Sequence, residues 1–439
     1  MATKAKRQRT RGTTKAAEQS TAVSANPEEL LLAALERGDQ SFETGRYLVT
    51  YRENAFEEGV KSLRSEGVRV ADARDFTDQA VVPESVAGAD ALVFPEIGVA
   101  LIGGGAAAAR SMSASEGIAG EGPEETIEPE CFVFADNHNY LRGFTRAANT
   151  IAADLGLEPT EGSESEEESV AALGATWGLV RCKVPPSTRN GLGIRVAVLD
   201  TGFDLHHPDF AGRSVTTNTF VGQPVQDLHS HGTHCIGTAC GPKAPPGTTP
   251  RYGVASASKI FVGKVLANSG TSVGGSVLAG MNWAIANRCE VISMSLSGGT
   301  AVSAAYTTAG QAALNNRCLI VAAAGNQAGA TRAPANSPTI MAVASLDPNM
   351  RPSSFSNFGK IEIAAPGRDV FSSVPIPPRY GTKSGTSMAT PHVAGCAALW
   401  AQTSPSLRGL ALWRRLVSSA KPLPLPASRV GAGLVQAPA

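Results

Sequence analysis

The sequence predicts an α/β protein, a doubly wound parallel sheet flanked by helices and preceded by a small α+β domain. Three observations support this prediction. After Trp177, short β-branched runs alternate with alanine-rich stretches typical of helices. Residues 194–199 are apolar at almost every position, as expected of a strand covered on both faces. The chain of 439 residues, 42% of them hydrophobic, is long enough for two or three packed domains.

The charge balance and the lack of long apolar stretches argue against two classes of partner, nucleic acids and membranes. Lysine and arginine total 38, and aspartate and glutamate also total 38, so the formal net charge is zero. This balance argues against binding of nucleic acid through bulk charge. No stretch approaches the roughly 18 apolar residues of a membrane-spanning helix, so no membrane partner is expected. The seven cysteines are odd in number and irregularly spaced, which favours free thiols over a disulfide framework.

Residues 1–44 are predicted to form a disordered basic tail. They are rich in lysine, arginine, threonine and serine, with little to bury. The basic residues are not followed by the apolar core of a secretory signal peptide. The cellular location therefore stays unknown, with a cytoplasmic protein and export by another route both open.

Residues 45–135 are predicted to form the small α+β domain. Strands are expected at 47–51, 68–70, 91–94 and 97–102. A helix capped by Asn54 is expected to run through Phe56, Val60 and Leu63. The glycine and alanine run at 103–109 is interpreted as a loop. Residues 136–175 contain six glutamates between positions 158 and 168, which predicts an exposed acidic linker.

Residues 176–439 carry the predicted parallel sheet. Further strands are expected at 260–262, 291–294, 318–322 and 340–343, and helices at 275–287 and 301–315. In such sheets, functional side chains gather at the carboxyl ends of the strands.

Three side chains in this region have the chemistry of a nucleophilic site. Asp200 ends the first strand, and His231 and Ser387 each stand where a loop enters a predicted helix. A serine hydroxyl becomes a good nucleophile when an imidazole takes its proton, and a carboxylate then orients and stabilises that imidazole. Asn326 follows a buried strand and is a candidate donor to an oxyanion.

The segments around these residues resemble the motifs of the subtilisin-like serine proteases (subtilases, peptidase S8). They read Val-Leu-Asp-Thr-Gly at 198–202, His-Gly-Thr-His at 231–234, Ala-Gly-Asn at 324–326 and Gly-Thr-Ser-Met-Ala-Thr-Pro at 385–391. The resemblance implies a subtilisin-like sheet of about seven strands and a serine endopeptidase that works through an acyl-enzyme. Asp200 would orient His231, His231 would act as base and then acid, Ser387 would attack, and Asn326 would hold the oxyanion.

The resemblance also implies where substrate binds. Ser295, Leu296, Ser297 and Gly298 match the strand that binds an extended substrate, and Gly270 lies on its other side. Ser297 departs from the usual Ser-Leu-Gly-Gly pattern, which leaves the local register open. Residues 45–135 are similar to the inhibitor-like propeptide of the family. The expected partners are thus protein or peptide substrates and the chain's own propeptide as an intramolecular inhibitor, in a monomeric proenzyme.

No cofactor is expected for catalysis, and no metal ligand is assigned. Calcium is common in the family, and Asp209 and Glu362 match ligand positions, but a full ligand set is not evident. Zinc bound by the histidines and cysteines between positions 229 and 240 is the less favoured alternative. Arg332 aligns with the base of the pocket for the residue before the cleaved bond. Two interpretations stay open: a cation selecting acidic residues, or a solvated loop arginine.

Two other functions are compatible with the same fold. One is a catalytically silent subtilase that serves as a binding module, and the other is an acyltransferase or macrocyclase. The presence of all four chemical groups argues against the first, and the lack of an obvious lid insertion to exclude water argues against the second. Labelling by an active-site phosphonylating reagent distinguishes an enzyme from a silent fold.

Overall fold

The computed structural model describes residues 21–37, 42–109, 122–135 and 174–439. We refer to the described residues up to 135 as the N-terminal region and to 174–439 as the C-terminal region. Most of the predicted tail, residues 1–20 and 38–41, lies outside the described residues. The predicted acidic linker also lies outside them, except for residues 174 and 175.

The N-terminal region is an α+β unit built on a five-stranded sheet. Its strand order is β5-β1-β4-β3-β2, and only the β2–β3 pair is parallel. Val60 and Leu63 of the second helix are buried against the sheet. The strands are β1 (Glu43–Tyr51), β2 (Val70–Asp72), β3 (Ala91–Phe94), β4 (Val99–Ile102) and β5 (Glu124–Ala135), and the helices are α1 (Pro27–Arg37), α2 (Phe56–Ser65) and α3 (Gly104–Ala109).

The structure differs from the sequence prediction at four places in this region. Helix α1 lies within the predicted tail, and its Leu30 is fully buried beside Phe132 of β5. Helix α3 replaces the predicted loop at 103–109. Asn54 does not cap α2, because it adopts a left-handed φ of 64° and the cap position belongs to Ala55. Strand β5 was not predicted.

The C-terminal region contains the predicted parallel sheet. Its seven strands have the order β14-β13-β12-β10-β6-β8-β7, and every neighbouring pair is parallel. The fold class is therefore confirmed, although the sheet strands β7 and β14 were not predicted. The strands are β6 (Arg195–Asp200), β7 (Val215–Thr219), β8 (Lys259–Lys264), β9 (Thr271–Val273), β10 (Val291–Met294), β11 (Leu296–Ser297), β12 (Leu319–Ala323), β13 (Met341–Leu346), β14 (Ile363–Pro366), β15 (Val370–Ser373) and β16 (Tyr380–Lys383).

Helices cover this sheet, and two of them begin beside the carboxyl ends of its central strands. None of the described helices is both long and apolar enough to cross a membrane. All seven cysteines are free thiols, and six of them are buried. The helices are α4 (Trp177–Arg181), α5 (His231–Cys240), α6 (Gly274–Ala286), α7 (Ala304–Asn315), α8 (Thr386–Thr403), α9 (Gly409–Ser419) and α10 (Ala427–Val430).

Strand β5 joins the two regions. Its first part pairs with β1 in the N-terminal sheet. Its last residues run antiparallel to β9 on one side and to β11 on the other. The end of β5, the last strand of the N-terminal region, thus lies in a cleft of the C-terminal region.

Candidate active site

The three predicted side chains of the nucleophilic site come from different elements and are all buried. Asp200 is the last residue of β6, His231 is the first of α5, and Ser387 is the second of α8. Each position follows from the fold, because the carboxyl ends of parallel strands and the amino ends of the following helices lie at the same edge of the sheet.

Asp200 and His231 form a short hydrogen bond. Nδ1 of His231 lies 2.7 Å from Oδ1 of Asp200, and the backbone N–H of Thr201 donates to the same oxygen at 2.7 Å. Burial on its own lowers the pKa of His231, but the adjacent Asp200 carboxylate outweighs it and the pKa lies well above the ordinary value. The carboxylate therefore favours an imidazolium, the form a general base reaches after taking a proton.

Ser387 lies next to this pair. The Sγ atom of Cys235 is 3.9 Å from Nδ1 of His231 and 3.6 Å from the backbone oxygen of Ser387, so one side chain contacts both residues. Oγ of Ser387 is 3.3 Å from the backbone oxygen of Ser295. Within the described part of the chain, Nε2 of His231 has no hydrogen-bond partner. That nitrogen is therefore able to accept a proton.

Asn326 is held in a single orientation beside Ser387. Its Oδ1 accepts hydrogen bonds from the backbone N–H of Thr386 at 2.9 Å and from the Thr386 hydroxyl at 3.1 Å. The Nδ2 amino group is therefore the end that points away from Thr386. The preceding Gly325 has a φ of 106°, and a Cβ there would lie 2.3 Å from the Asn357 amide, so this turn requires glycine.

Asp227 and Thr201 are positioning residues that the sequence did not reveal. The buried Asp227 carboxylate accepts from the backbone N–H groups of His229, Ser230 and Thr233 in the turn that leads into α5. The Thr201 hydroxyl donates to Asp227 and accepts from the N–H of Gly232. The end of β6 is thereby fixed to the start of α5, which aligns Asp200 with His231.

The predicted substrate-binding residues all lie along the cleft that holds the end of β5. Leu296 and Ser297 of β11 pair with Ala135 and Phe134. Gly270 accepts a hydrogen bond from the N–H of Ala135 at 2.7 Å, and Ser295 and Gly298 flank β11. The pairing has no shift at Ser297, so this residue leaves the register of the strand intact.

Acidic side chains of β5 anchor it to the C-terminal region. Glu130 is fully buried and forms a salt bridge of 2.6 Å with the equally buried Arg46. Its other oxygen accepts from the N–H of Gly275, in the first turn of α6, at 2.7 Å. Glu128 accepts in the same way from the N–H groups of Ala304 and Ala305 at the start of α7. Both carboxylates satisfy donors that a helix leaves open at its amino end.

The residues at the two calcium-like positions do not fit a calcium ion. Asp209 accepts from Arg379 at 2.6 Å, and Glu362 accepts from Lys360 at 2.8 Å. Each carboxylate is thus already paired with a cation of the chain itself. Calcium requires six or more oxygens, none of which a guanidinium or ammonium group supplies.

A third group of potential ligands lies in the site itself. Asp200, His231 and Cys235 each offer a ligand atom, and these atoms lie within 4.8 Å of one another. Burial raises the pKa of the Cys235 thiol, which therefore keeps its proton at neutral pH, and Asp200 and His231 are bonded to each other. Asp200 and His231 are thus committed to each other, and we assign no metal to this trio.

Known proteins resemble this chain over most of the C-terminal region. The model of the subtilase family matches residues 191–433. M-protease of Shouchella clausii (strain KSM-K16) is 38% identical over 294 residues, which cover 65% of this chain and 75% of the relative. Subtilisin Savinase of Lederbergia lenta is 38% identical over 61% of this chain and 99% of its own. The crystal structure of a cold adapted subtilisin-like serine proteinase is 34% identical, with a TM-score of 0.55, and the match covers 61% of this chain and 99% of that chain.

Proposed function

The chain belongs to the subtilase family of serine endopeptidases, and on this premise we propose that it cleaves peptide bonds through an acyl-enzyme formed on Ser387. The observation that carries the proposal is the 2.7 Å hydrogen bond between His231 and Asp200, beside a serine in the first turn of α8. All of the reacting groups come from one chain, so we expect a monomer to be active.

Each group has a defined task in the proposed reaction. Oγ of Ser387 attacks the substrate carbonyl while Nε2 of His231 takes its proton, and Asp200 stabilises the resulting imidazolium. Nδ2 of Asn326 donates to the oxyanion of the tetrahedral intermediate. His231 then gives the proton to the leaving amine. A water molecule, deprotonated by His231, then attacks the ester carbonyl, and His231 returns this proton to Oγ of Ser387 as the acid product leaves.

Labelling with a fluorophosphonate reagent tests this assignment. We expect one covalent adduct, mapped by mass spectrometry to Ser387 and absent from a Ser387→Ala variant. Ser384→Ala is the matched control, because it removes a hydroxyl three residues away that is bonded to the exposed Asp369. Retention of labelling in Ser387→Ala would contradict the proposal, and a parent chain that is not labelled at all would favour a catalytically silent fold.

We also propose that residues 45–135 act as a propeptide that inhibits the site from within the chain. The support is the position of the end of β5 between β9 and β11, where an extended substrate would add a strand. Val133 is 2% exposed in this cleft. A Val133→Asp substitution places a charge there and should speed fluorophosphonate labelling of Ser387.

Glu125→Gln is the control for Val133→Asp, because Glu125 is an exposed residue of the same strand. Labelling at the unchanged slow rate is expected for this variant. Equal labelling rates for the parent chain and Val133→Asp would contradict the inhibitory role of β5 and leave the assignment of Ser387 intact.

A further inference from the structure

We propose that this site cleaves after acidic residues and that Arg332 is the residue that determines this specificity. The inference rests on the proposed peptidase function and adds to it the class of peptide bond that is cut. Three structural arguments support it: the register of the bound strand, the walls of the adjoining pocket, and the charge found there.

The register of β5 identifies which substrate residue precedes the cleaved bond. Ser297 pairs with Phe134 and Leu296 pairs with Ala135. In a bound chain that continues this antiparallel pairing, the residue after the position of Ala135 lies opposite Ser295. The backbone oxygen of Ser295 is 3.3 Å from Oγ of Ser387. The residue after the position of Ala135 therefore brings its carbonyl group to the nucleophile.

We infer that the side chain of that substrate residue enters a space between three segments, which form its walls. One wall is the strand that continues from Leu296 to Gly299, and the second is the segment 324–326 after β12. Residues 332 and 333 close the space between them. The N–H of Arg332 donates to the oxygen of Ala324, the N–H of Ala333 donates to the oxygen of Gly299, and the N–H of Gly298 donates to the oxygen of Ala333.

Arg332 supplies the charge of this pocket. The other residues of the three walls are leucine, serine, glycine, alanine and asparagine, so none of them is charged. The half-buried guanidinium donates through Nη1 to the backbone oxygen of Gly298 at 3.0 Å. Within the described part of the chain it forms no salt bridge, so its charge is available to pair with a ligand. A guanidinium pairs well with a carboxylate through paired hydrogen bonds.

The chain's own sequence agrees with this preference. Residue 135 is the last of β5, and the residue that follows it in sequence is Asp136. We therefore expect the first self-cleavage to occur between Asp136 and Asn137.

Four peptides that differ only in the residue before the cleaved bond (Glu, Asp, Leu or Lys) test the proposal with the full-length chain. The Glu or Asp peptide should have a kcat/KM at least about tenfold above that of the Leu peptide, the effect of one charge-assisted hydrogen bond. Arg332→Met should abolish this ratio and raise the kcat/KM for the Leu peptide. Arg414→Met, at an exposed position of α9, is the control and should keep the parent ratio.

Self-cleavage gives a second readout that needs no added substrate. Asp136→Leu should slow the appearance of the fragment that begins at Asn137, and the double variant Arg332→Met with Asp136→Leu should restore it. A Leu peptide preferred over the Glu and Asp peptides by the parent chain would overturn the acidic specificity while supporting a peptidase. No hydrolysis of any peptide, no self-cleavage and no labelling of Ser387 would overturn the proposed function itself.

Discussion

Two buried aspartates of the C-terminal region have opposite surroundings. Asp209 is saturated, because it accepts from Tyr252 at 2.6 Å, from Arg379 at 2.6 Å and from Tyr380 at 3.0 Å. Asp200 bonds to His231 through Oδ1, while its buried Oδ2 has no hydrogen-bond partner in the described part of the chain. Leaving a buried polar atom unpaired costs stability, a cost that a functional site can outweigh.

The comparison separates a structural carboxylate, Asp209, from Asp200, which we propose takes part in catalysis. Burial raises the pKa of Asp209, but the bonds from Tyr252, Arg379 and Tyr380 overcome that effect and hold it below its ordinary value. The charge of Asp209 thus fixes the loop that carries Arg379. The charge of Asp200 is directed at one ring nitrogen, and the opposite nitrogen of that ring, Nε2, has no partner among the described residues. We therefore expect substitutions at these two aspartates to affect different properties.

The largest effect is expected for Asp200→Asn. The amide cannot stabilise an imidazolium and favours the wrong tautomer of His231, so kcat should fall by about 10⁴-fold. The thermal midpoint should change little. Steady-state kinetics and thermal unfolding of the same preparation measure both quantities. A loss of activity below tenfold, or one that simply follows a loss of folded protein, would break the distinction between the two aspartates.

The second-largest effect is expected in the pH dependence of kcat/KM. The proposed reaction requires neutral His231, and the pKa of His231 is raised above the ordinary 6.5. The rate should therefore fall about tenfold for each pH unit below that raised pKa. Activity rises toward alkaline pH with an inflection above 6.5, and Asp200→Asn moves this inflection to lower pH. An inflection that stays in place in Asp200→Asn would show that another group controls the profile.

Asp209→Asn should lower stability and leave chemistry intact. The neutral amide loses the charge-assisted bond to Arg379, at a cost of about 2 kcal/mol. The thermal midpoint should fall by a few degrees, and kcat measured well below that midpoint should match the parent value. Because Arg379 already pairs with Asp209, excess chelator should not add to the loss. A large fall in kcat at low temperature would contradict the structural role.

Glu84 extends the comparison to the contact between the two regions and should give the smallest effect. Burial raises its pKa from 4.5 to about 7, and both of its carboxylate oxygens lack partners within the described residues. The folded chain holds this proton more tightly than the unfolded chain does, so stability should fall as pH rises from about 4.5 to 7. Nearby charges come from Arg46, Glu28 and Glu29.

Thermal unfolding of the Ser387→Ala chain at pH 5 and pH 8 measures this contribution without interference from proteolysis. Adding Glu84→Gln should reduce the difference between the two thermal midpoints, because the amide does not titrate. The exposed Glu125→Gln is the control and should leave the difference unchanged. An unchanged difference in Glu84→Gln would assign the pH dependence to other groups.

The parallel sheet was predictable because its central strands are short continuous apolar runs. Strands at 194–199, 291–294 and 318–322 have buried side chains on both faces, and this pattern is local to each strand. Asp200 was located at the end of the first of these strands, whereas His231 and Ser387 were located at loop-to-helix junctions and recognised by the subtilase-like motifs around them. Strand β7 is a polar edge strand, with the sequence Val-Thr-Thr-Asn-Thr, and offers no such signal.

Strand β5 could not be predicted from its local sequence, because the groups that neutralise its buried glutamate lie in distant segments of the chain. Its sequence carries four glutamates and a proline, which is typical of an exposed segment. Glu130 is nevertheless fully buried, since Arg46 and the start of α6 neutralise its charge. The network of Asp227 and Thr201 was missed for a similar reason, because its bonds join segments 26 residues apart.

The rate of the double variant His231→Ala with Ser387→Ala tests the central claim, that these side chains act as one catalytic unit. When residues act together, removing the second costs almost nothing after the first is lost. We predict that the double variant hydrolyses peptide at the same residual rate as Ser387→Ala alone. A double variant slower by the product of the two single losses would show that His231 and Ser387 act independently, and would contradict the account.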